Sequence, residues 1–533
     1  MSGGRLKFWG WGYESERLTP AEIGRLEAAY AAYFRVGGFD AVPEPRAEDV
    51  NLREPRVRGP AALSAVCSSD HYERLLHSYG KSFFDSVRAF ARDFPNPPDA
   101  IAFPRSEAEL IAVLDWCGSI DAVVIPWGGG SSVVAGVEPP RTDRPIVTID
   151  LKHLDRVLEI DQTSQAARIQ GGVYGPSLEN QLKPSGLTLR HFPQSFEFST
   201  LGGWIATRGG GHYATLYTHI DDFVESLRVV TPTGIVQSLR LPGSGAGPSP
   251  DRMFIGSEGT LGIITQAWMR LRPRPRFRAA TSVRFGDFYR AAEAVRSIAQ
   301  AHLYPANCRL LDAEEALING AGDGTHCVLV LTFESADRPM EALLARTLEI
   351  VRAHGGEYDA AAAKGEAAQR QGAAGQWRDS FLRMPYNREV LTARGIIAET
   401  FETAITWDRF PRFHAEVKAA TESAIKEATG RPGLVTCRFT HVYPDGPAPY
   451  FSCHALGDKA RMMEQGWAIK TAASEALIKL GGTITHHHAV GRDHRRWYDR
   501  QRPALFAQAL IAAKRRFDPK GMLNPGVLFD PES

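Results

Sequence analysis

At 533 residues, 43% hydrophobic and 23% charged, the chain has ordinary globular composition, which excludes a disordered or fibrous protein and leaves room for roughly two to four domains. Sixty-two basic residues against 61 acidic ones give a formal net charge of +1, so there is no global electrostatic pull toward nucleic acid and none is expected as a partner. The six cysteines (Cys67, Cys117, Cys308, Cys327, Cys437 and Cys453) form no C-x-x-C pair, which speaks against a disulfide scaffold, a thiolate zinc site or thioredoxin-like chemistry and for reduced thiols. No apolar run approaches the ~18–20 residues that cross a bilayer. The opening MSGGRLKFWGWGYESE lacks an apolar signal core and the closing Asp-Pro-Glu-Ser533 is not a peroxisomal tripeptide, so a cytoplasmic protein is the expectation.

Residues 1–93, with Phe8, Trp9, Trp11 and Tyr13 near the start, read as an extension that packs on the rest. Ordered alternation of strands and helices begins near Pro95. Ser106 to Ile120 predicts a helix: Ser106 suits the cap, Glu107 and Glu109 the first turn, and Leu110, Val113, Leu114 and Cys117 recur at helical spacing. Ala122 to Pro126, Ile146 to Ile149 and Ala167 to Gln170 predict strands, and Leu178 to Leu182 a short helix. Ser226 to Val230 and Ile235 to Leu239 flank Thr231-Pro-Thr-Gly234 and predict a hairpin. The proline-broken Arg270 to Arg276 is a domain exit, since alternating prolines forbid a helix. Beyond it, Phe288 to Ala299 presents one helical face, Val328 to Phe333 is strand-like, and Ala360 to Gln376 reads as a mobile surface loop, with a lid as the alternative. Phe410 to Ala428 predicts a long amphipathic helix, Cys437 to Tyr443 and Tyr450 to Ala455 predict strands, and a last helix ends near Phe517.

Three Gly/Ser/Thr-rich loops carry the first chemical signal. Pro126-Trp127-Gly128-Gly129-Gly130-Ser131-Ser132 follows an apolar strand. Pro193-Gln194-Ser195-Phe196-Glu197-Phe198-Ser199 leads through Thr200 to Ala206-Thr207-Arg208-Gly209. Gly256-Ser257-Glu258-Gly259-Thr260-Leu261-Gly262 runs into Ile263-Ile264. None is a Walker or Rossmann fingerprint. Together they would wrap an extended, phosphate-bearing cofactor with main-chain and hydroxyl hydrogen bonds. In the same chain, Thr485-His486-His487-His488 is open by residue type alone to three readings: a surface cluster, a metal site, or acid–base chemistry. In a strand, His486 and His488 would share one face and His487 take the other. Arg492, Arg495, Arg496 and Arg500 form either a solvated face or an acidic-lipid contact.

The glycine loops, with Gly171-Gly-Val173 and the closing Phe517-Asp-Pro-Lys-Gly-Met-Leu-Asn-Pro525, resemble the FAD-binding domain of the vanillyl-alcohol oxidase superfamily. Within it, four further pieces resemble the alkyldihydroxyacetonephosphate synthase family: Phe8-Trp-Gly-Trp-Gly-Tyr13, Cys308-Arg-Leu-Leu-Asp312, Glu399-Thr-Phe-Glu-Thr403 with Trp407-Asp-Arg409, and the histidine run itself. Thr436-Cys-Arg438 is a weaker match. The resemblance spans about residues 7 to 525. It departs at Ala489, where the family usually has glycine, and at Gly211-His-Tyr-Ala-Thr215.

The resemblance implies an α+β fold: a two-subdomain PCMH-type FAD-binding domain at 94–274, an α/β substrate-binding cap at 275–480, and a segment at 481–533 that closes the active site. It implies FAD held non-covalently by the three loops, since neither His191 nor His212 stands in a tethering pattern, and no metal. It also implies an exchange of the acyl group of acyl-dihydroxyacetone phosphate for a fatty alcohol, with Tyr450, His486, His487 and His488 as catalytic residues and Arg388 and Arg309 as substrate-binding ones. The partners would be these lipid substrates, with peripheral membrane contact and a homodimer as further expectations. Two other functions stay open: an FAD-dependent dehydrogenase or oxidase of a D-2-hydroxy acid or alcohol, and a catalytically silent flavin-binding protein. At single residues, Tyr450 reads alternatively as a core aromatic and Arg388 as a surface ion pair.

Overall fold

The computed structural model describes residues 4–217, 219–358 and 384–530. The stretch Ala360 to Gln376 lies outside the described residues.

The first half of the chain builds two sheets. The apolar runs Val123–Trp127 and Ile146–Asp150 pair in parallel, with Ala100–Ala102 beside them and Cys67–Ser68 antiparallel on the edge. A parallel sheet must be covered. Helix Glu107–Ser119 does so, laying Leu110, Val113, Leu114 and Cys117 on Val124, Val147 and Ile149. Ser106 caps that helix by accepting from the Glu109 N–H at 3.2 Å. The first 93 residues therefore do more than pack on the rest, because Cys67–Ser68 extends this sheet. The second sheet is antiparallel, in the order Val157–Asp161, Ala166–Gln170, Ile263–Arg270, Val224–Thr231, Gly234–Gln237. The expected hairpin closes with Thr231 opposite Gly234. The proline-broken exit makes one short pairing, Arg272–Pro273 against Leu187–Thr188, before the chain leaves for the second half.

There, six antiparallel strands form one sheet in the order Phe277–Phe285, Cys327–Ser335, Asn307–Leu311, Leu434–Val442, Pro447–Leu456, Ile396–Glu402. The period of two along each strand sorts the residues. Cys308, Leu310, Val435, Cys437, Phe439, Phe451 and Cys453 join the core formed with helices Phe288–Gln300, Glu341–Ala353, Phe410–Thr429 and Met462–Lys479. Their alternates Arg309, Arg438, Thr440, Tyr450, Ser452 and His454 point the other way, into a cavity shared with the first half.

The C-terminal segment folds back to the start. Val124 and Asn524 exchange main-chain hydrogen bonds with the opposite strand, Val124 N–H to Met522 at 2.8 Å and Asn524 N–H to Val124 at 2.9 Å. A buried triad pins the segment to the cap: Lys470 Nζ lies 3.1 Å from both Glu399 Oε1 and Asp493 Oδ2. Despite its burial, the two carboxylates hold the lysine above its ordinary pKa. No helix among the described residues is long and apolar enough to cross a membrane.

Candidate active site

One wall of the cavity is backbone. Gly128, Gly129, Gly130, Ser131 and Ser132 line it, facing Pro193, Gln194, Ser195, Ser199, Thr207 and Gly209. Ser132 anchors the loop: its carbonyl accepts from Lys81 N–H at 2.6 Å and its hydroxyl from Gly136 N–H at 2.9 Å, while the Gly128 carbonyl accepts from the Tyr174 hydroxyl at 3.4 Å. Among the described residues, the N–H groups of Gly129 to Ser132 find no protein acceptor. A Cβ on Gly129 would overlap the carbonyl oxygen of Phe198, so the two loops meet at a separation only glycine permits.

The remaining loop residues stand behind this wall. Pro126 and Trp127 end the strand, and Trp127 packs on His77 with ring centroids 4.6 Å apart. Phe196 stacks on Trp204, and Phe198 meets Trp11, Tyr13 and Tyr386 edge-on. Glu197, buried in part, has its carboxyl raised by that burial and then by Glu16. The Ala206 carbonyl accepts from Glu258 N–H at 2.8 Å, and Arg208 pairs with Asp221 at 2.7 Å. Glu258, Gly259, Thr260, Leu261, Gly262, Ile263 and Ile264 lie outside the cavity lining. Their loop clamps the C-terminal segment: the Glu258 carboxylate accepts from Val490 N–H (2.8 Å) and Gly491 N–H (2.9 Å), and burial lifts its pKa to about 7.

The opposite wall is the polar face of the cap sheet. Arg309, Arg438, Thr440 and Tyr450 stand on it, with Arg388 reaching in from the helix at residues 384–393. Arg388 Nη1 donates to the Lys81 carbonyl at 2.7 Å, one residue's breadth from the glycine loop. Burial, and then the neighbouring Arg438 guanidinium, lower Arg309 to about 9. Arg438 is ion-paired to Glu315, whose carboxylate also accepts from the Thr436 hydroxyl.

The histidine run closes the cavity between the walls. It is a bent loop, not a strand, so the expected alternation of faces does not occur. His487 and His488 line the cavity, their rings 6.1 Å and 5.3 Å from that of Tyr450. His486 sits behind, with Nε2 hydrogen-bonded to the Tyr443 hydroxyl at 2.7 Å and Nδ1 to His487 Nδ1 at 3.1 Å. His441, which the sequence reading passed over, adds a fourth ring 4.8 Å from His486. Burial lowers His486 and His487 to about 3 and His441 and His488 well below the usual histidine range, so all four are neutral at neutral pH. Ring nitrogens of His441, His486 and His487 lie within 4.8 Å of one another, close enough to share an ion. Several of these nitrogens are already engaged within the protein, His441 Nε2 with the Gly211 carbonyl at 3.2 Å among them. The arginines after the run are not a free basic face. Arg492 donates to the Glu138 carbonyl, Arg495 pairs with Asp499, Arg496 stacks on Trp497 and Arg500 pairs with Glu475.

Arg438, His441, Tyr443 and Glu402 carry no role in the sequence reading, although Arg438 and Glu402 fall within the resembling stretches Thr436-Cys-Arg438 and Glu399–Thr403. Arg438 also has a local signal: Thr436, Arg438 and Thr440 alternate with apolar Val435, Cys437 and Phe439, the pattern of a strand with one polar buried face.

Two family models match the chain. The family described as FAD binding domain matches residues 98–240, and the FAD linked oxidases C-terminal domain matches 274–528. The alkyldihydroxyacetonephosphate synthase of Trypanosoma brucei brucei is 30% identical over 98% of this chain and 92% of its own. That of Caenorhabditis elegans is 30% identical over 86% of this chain and 80% of its own. A solved alkyldihydroxyacetonephosphate synthase superposes with a TM-score of 0.80 at 26% identity, covering 98% of both chains.

The fold and the two-walled cavity define an FAD-dependent flavoenzyme of the FAD-linked oxidase architecture, one half for the cofactor and one for the cap. Its glycine-lined wall fits the cofactor: the N–H groups of Gly129 to Ser132 have no protein acceptor among the described residues, and Gly128, Gly129 and Gly130 line the cavity with no side chain of their own. Within that class, the chain belongs to the alkyldihydroxyacetonephosphate synthase family.

Proposed function

We propose that this enzyme exchanges the acyl group of an acyl-dihydroxyacetone phosphate for a fatty alcohol, forming the ether bond of an alkyl lipid. The observation that supports this most is the meeting of Tyr450, His487, His488, Arg388 and Arg309 in one cavity, opposite the glycine wall. In this reading Gly128 to Ser132, Ser195, Ser199, Thr207 and Gly209 hold FAD, while the loop from Glu258 to Ile264 serves by fixing the C-terminal segment. Residues 94–274 are the cofactor half, 275–480 the cap, and 1–93 and 481–533 the pieces that close the site.

Bound FAD supplies the redox-neutral isoalloxazine template over which one substituent replaces the other. The rest falls to the chain. A neutral imidazole of the histidine run takes the proton from the carbon that bears the ester. Arg388, whose planar fork suits a carboxylate, holds the fatty acid as it departs. Arg309, a buried cation on the cap wall of the cavity, binds an anionic group of the substrate. Tyr450, with His487 or His488, takes the proton of the incoming alcohol as its oxygen bonds to the carbon that the acid has left. The carbon then recovers its proton from the same histidine. For such lipid substrates the proposal extends to peripheral membrane contact, supported by Leu505 and Phe506, 78% and 52% exposed at the start of helix Ala504–Phe517.

The test is direct. Holoenzyme given palmitoyl-dihydroxyacetone phosphate and hexadecanol should yield the alkyl ether and palmitate in equal amounts, with no electron acceptor present. Product only when an acceptor is added, or none at all, rejects the assignment.

A further inference from the structure

Glu402 is the last residue of the strand Ile396–Glu402 and pairs in register with Tyr450. Its side chain is 1% exposed and does not line the cavity. It nonetheless gathers the whole histidine run. Oε1 accepts from the Thr485 hydroxyl (2.5 Å), His487 N–H (3.1 Å) and His488 N–H (2.9 Å), and Oε2 accepts from His486 N–H (2.6 Å) and His487 N–H (3.2 Å). Three consecutive main-chain N–H groups converging on one anion form a nest. The nest is what bends residues 486–488 out of a strand and fans the three rings outward. His486 turns to Tyr443, and His487 and His488 turn into the cavity beside Tyr450. The carboxylate also lies 3.4 Å from His487 Nδ1.

We propose that Glu402 is a positioning residue for the alkyl exchange: a single carboxylate, on the strand next to Tyr450, sets where His487 and His488 stand relative to that phenol. Its catalytic consequence rests on the function proposed above. The geometry demands an anion. An ionised carboxylate only accepts, and the three main-chain N–H groups that meet it can only donate. A glutamine of the same shape would turn an NH2 group against at least one of them and release part of the loop. An aspartate keeps the charge but falls short by one methylene.

The variants Glu402→Gln and Glu402→Asp, compared with wild type as FAD-loaded enzymes, separate positioning from simple stability. In Glu402→Gln, kcat for alkyl exchange should fall by ~10²-fold or more, the range lost when acid–base groups are misplaced, while KM stays within a few-fold. Glu402→Asp should recover about a tenth of wild-type kcat or better, since it restores the anion. Hydrogen exchange in peptides covering residues 485–490 should quicken in Glu402→Gln, with the remaining protein unchanged. Should Glu402→Gln fail to hold FAD, Thr485→Val, which removes one donor and leaves the three N–H groups, should give a smaller fall in kcat with the same local loosening. Unaltered exchange at 485–490, or a kcat within about three-fold of wild type in Glu402→Gln, overturns the proposal. If wild type performs no alkyl exchange, the functional reading fails by itself, and the exchange of residues 485–490 alone decides whether Glu402 sets the loop.

Discussion

The Arg438 guanidinium lies 3.8 Å from the ring centroid of Tyr450, and the two residues are cross-strand partners in the cap sheet. The cation over the ring and the pairing register fix the phenol at the cavity wall. Glu315, paired to Arg438 from behind, fixes the cation in turn. Tyr450 is thus held by its ring, leaving its hydroxyl for chemistry. Tyr450→Phe should keep the ring, the stacking and the bound FAD, yet lower kcat by ~10²–10⁴-fold. Full alkyl-exchange activity in that variant would make Tyr450 a packing residue only.

Gly129→Ala tests the cofactor wall. The new methyl would overlap the Phe198 carbonyl oxygen, and neither backbone can yield without moving a loop that lines the cavity. The flavin-to-protein absorbance ratio of the purified variant should drop well below that of wild type, with a stability loss of about 1–3 kcal/mol for the overpacking. A full complement of FAD would remove this loop from the cofactor site. In wild type, acid precipitation should leave the flavin in the supernatant; flavin that stays with the pellet would mean a covalent tether.

Ala489 follows the histidine run with φ at +75°, in the left-handed region where a Cβ costs ~1–2 kcal/mol. The family's usual glycine carries no such penalty. Ala489→Gly should therefore stabilise the protein by about 1 kcal/mol, less whatever the unfolded chain gains in freedom. Denaturant unfolding at neutral pH measures it, and a lower midpoint in the variant would contradict the argument.

Stability should fall on acidification in a window set by the buried histidines. Burial holds His486 and His487 at about 3 in the folded protein, whereas in the unfolded chain they titrate near ~6.5. Between those values the unfolded state binds the extra protons, so stability drops as pH falls below ~6.5, by up to ~1.4 kcal/mol per pH unit for each histidine. Above ~6.5 both states are neutral at these positions and they contribute no slope. Urea midpoints from pH 8 to 4.5 should show this, and replacing His486 and His487 together with glutamine should make the slope shallower, the other buried histidines keeping their share. Equal slopes in the two proteins would show that these rings are not the source.

Much of the cofactor half was legible because its signals are local. Ser106 with Glu109, and the period of Leu110, Val113 and Cys117, define Glu107–Ser119 to within a residue, and Thr231-Pro-Thr-Gly234 closes the expected hairpin. Thr19-Pro-Ala-Glu22 carries a capping-box pattern for the unanticipated helix Pro20–Phe34. The cap sheet was harder. Asn307–Leu311 and Ile396–Glu402 carry Arg309, Glu399 and Glu402 inside, and buried charge breaks the apolar reading of a strand. Such residues are intelligible only with their partners. Glu402 meets its donors 83 to 86 residues further along the chain, and Lys470 needs both Glu399 and Asp493. The bend at His486 to His488 goes with that distant carboxylate, which no local pattern in the run announces.

The central claim is that flavin here serves exchange and not net oxidation, and anaerobic flavin spectroscopy tests it most directly. Holoenzyme mixed without oxygen with palmitoyl-dihydroxyacetone phosphate should lose its oxidised flavin absorbance. Adding hexadecanol should restore that absorbance and yield the alkyl ether. Bleaching that hexadecanol does not relieve, or persistent reduction by a D-2-hydroxy acid without ether product, would contradict the account and make the protein a dehydrogenase built on the same fold.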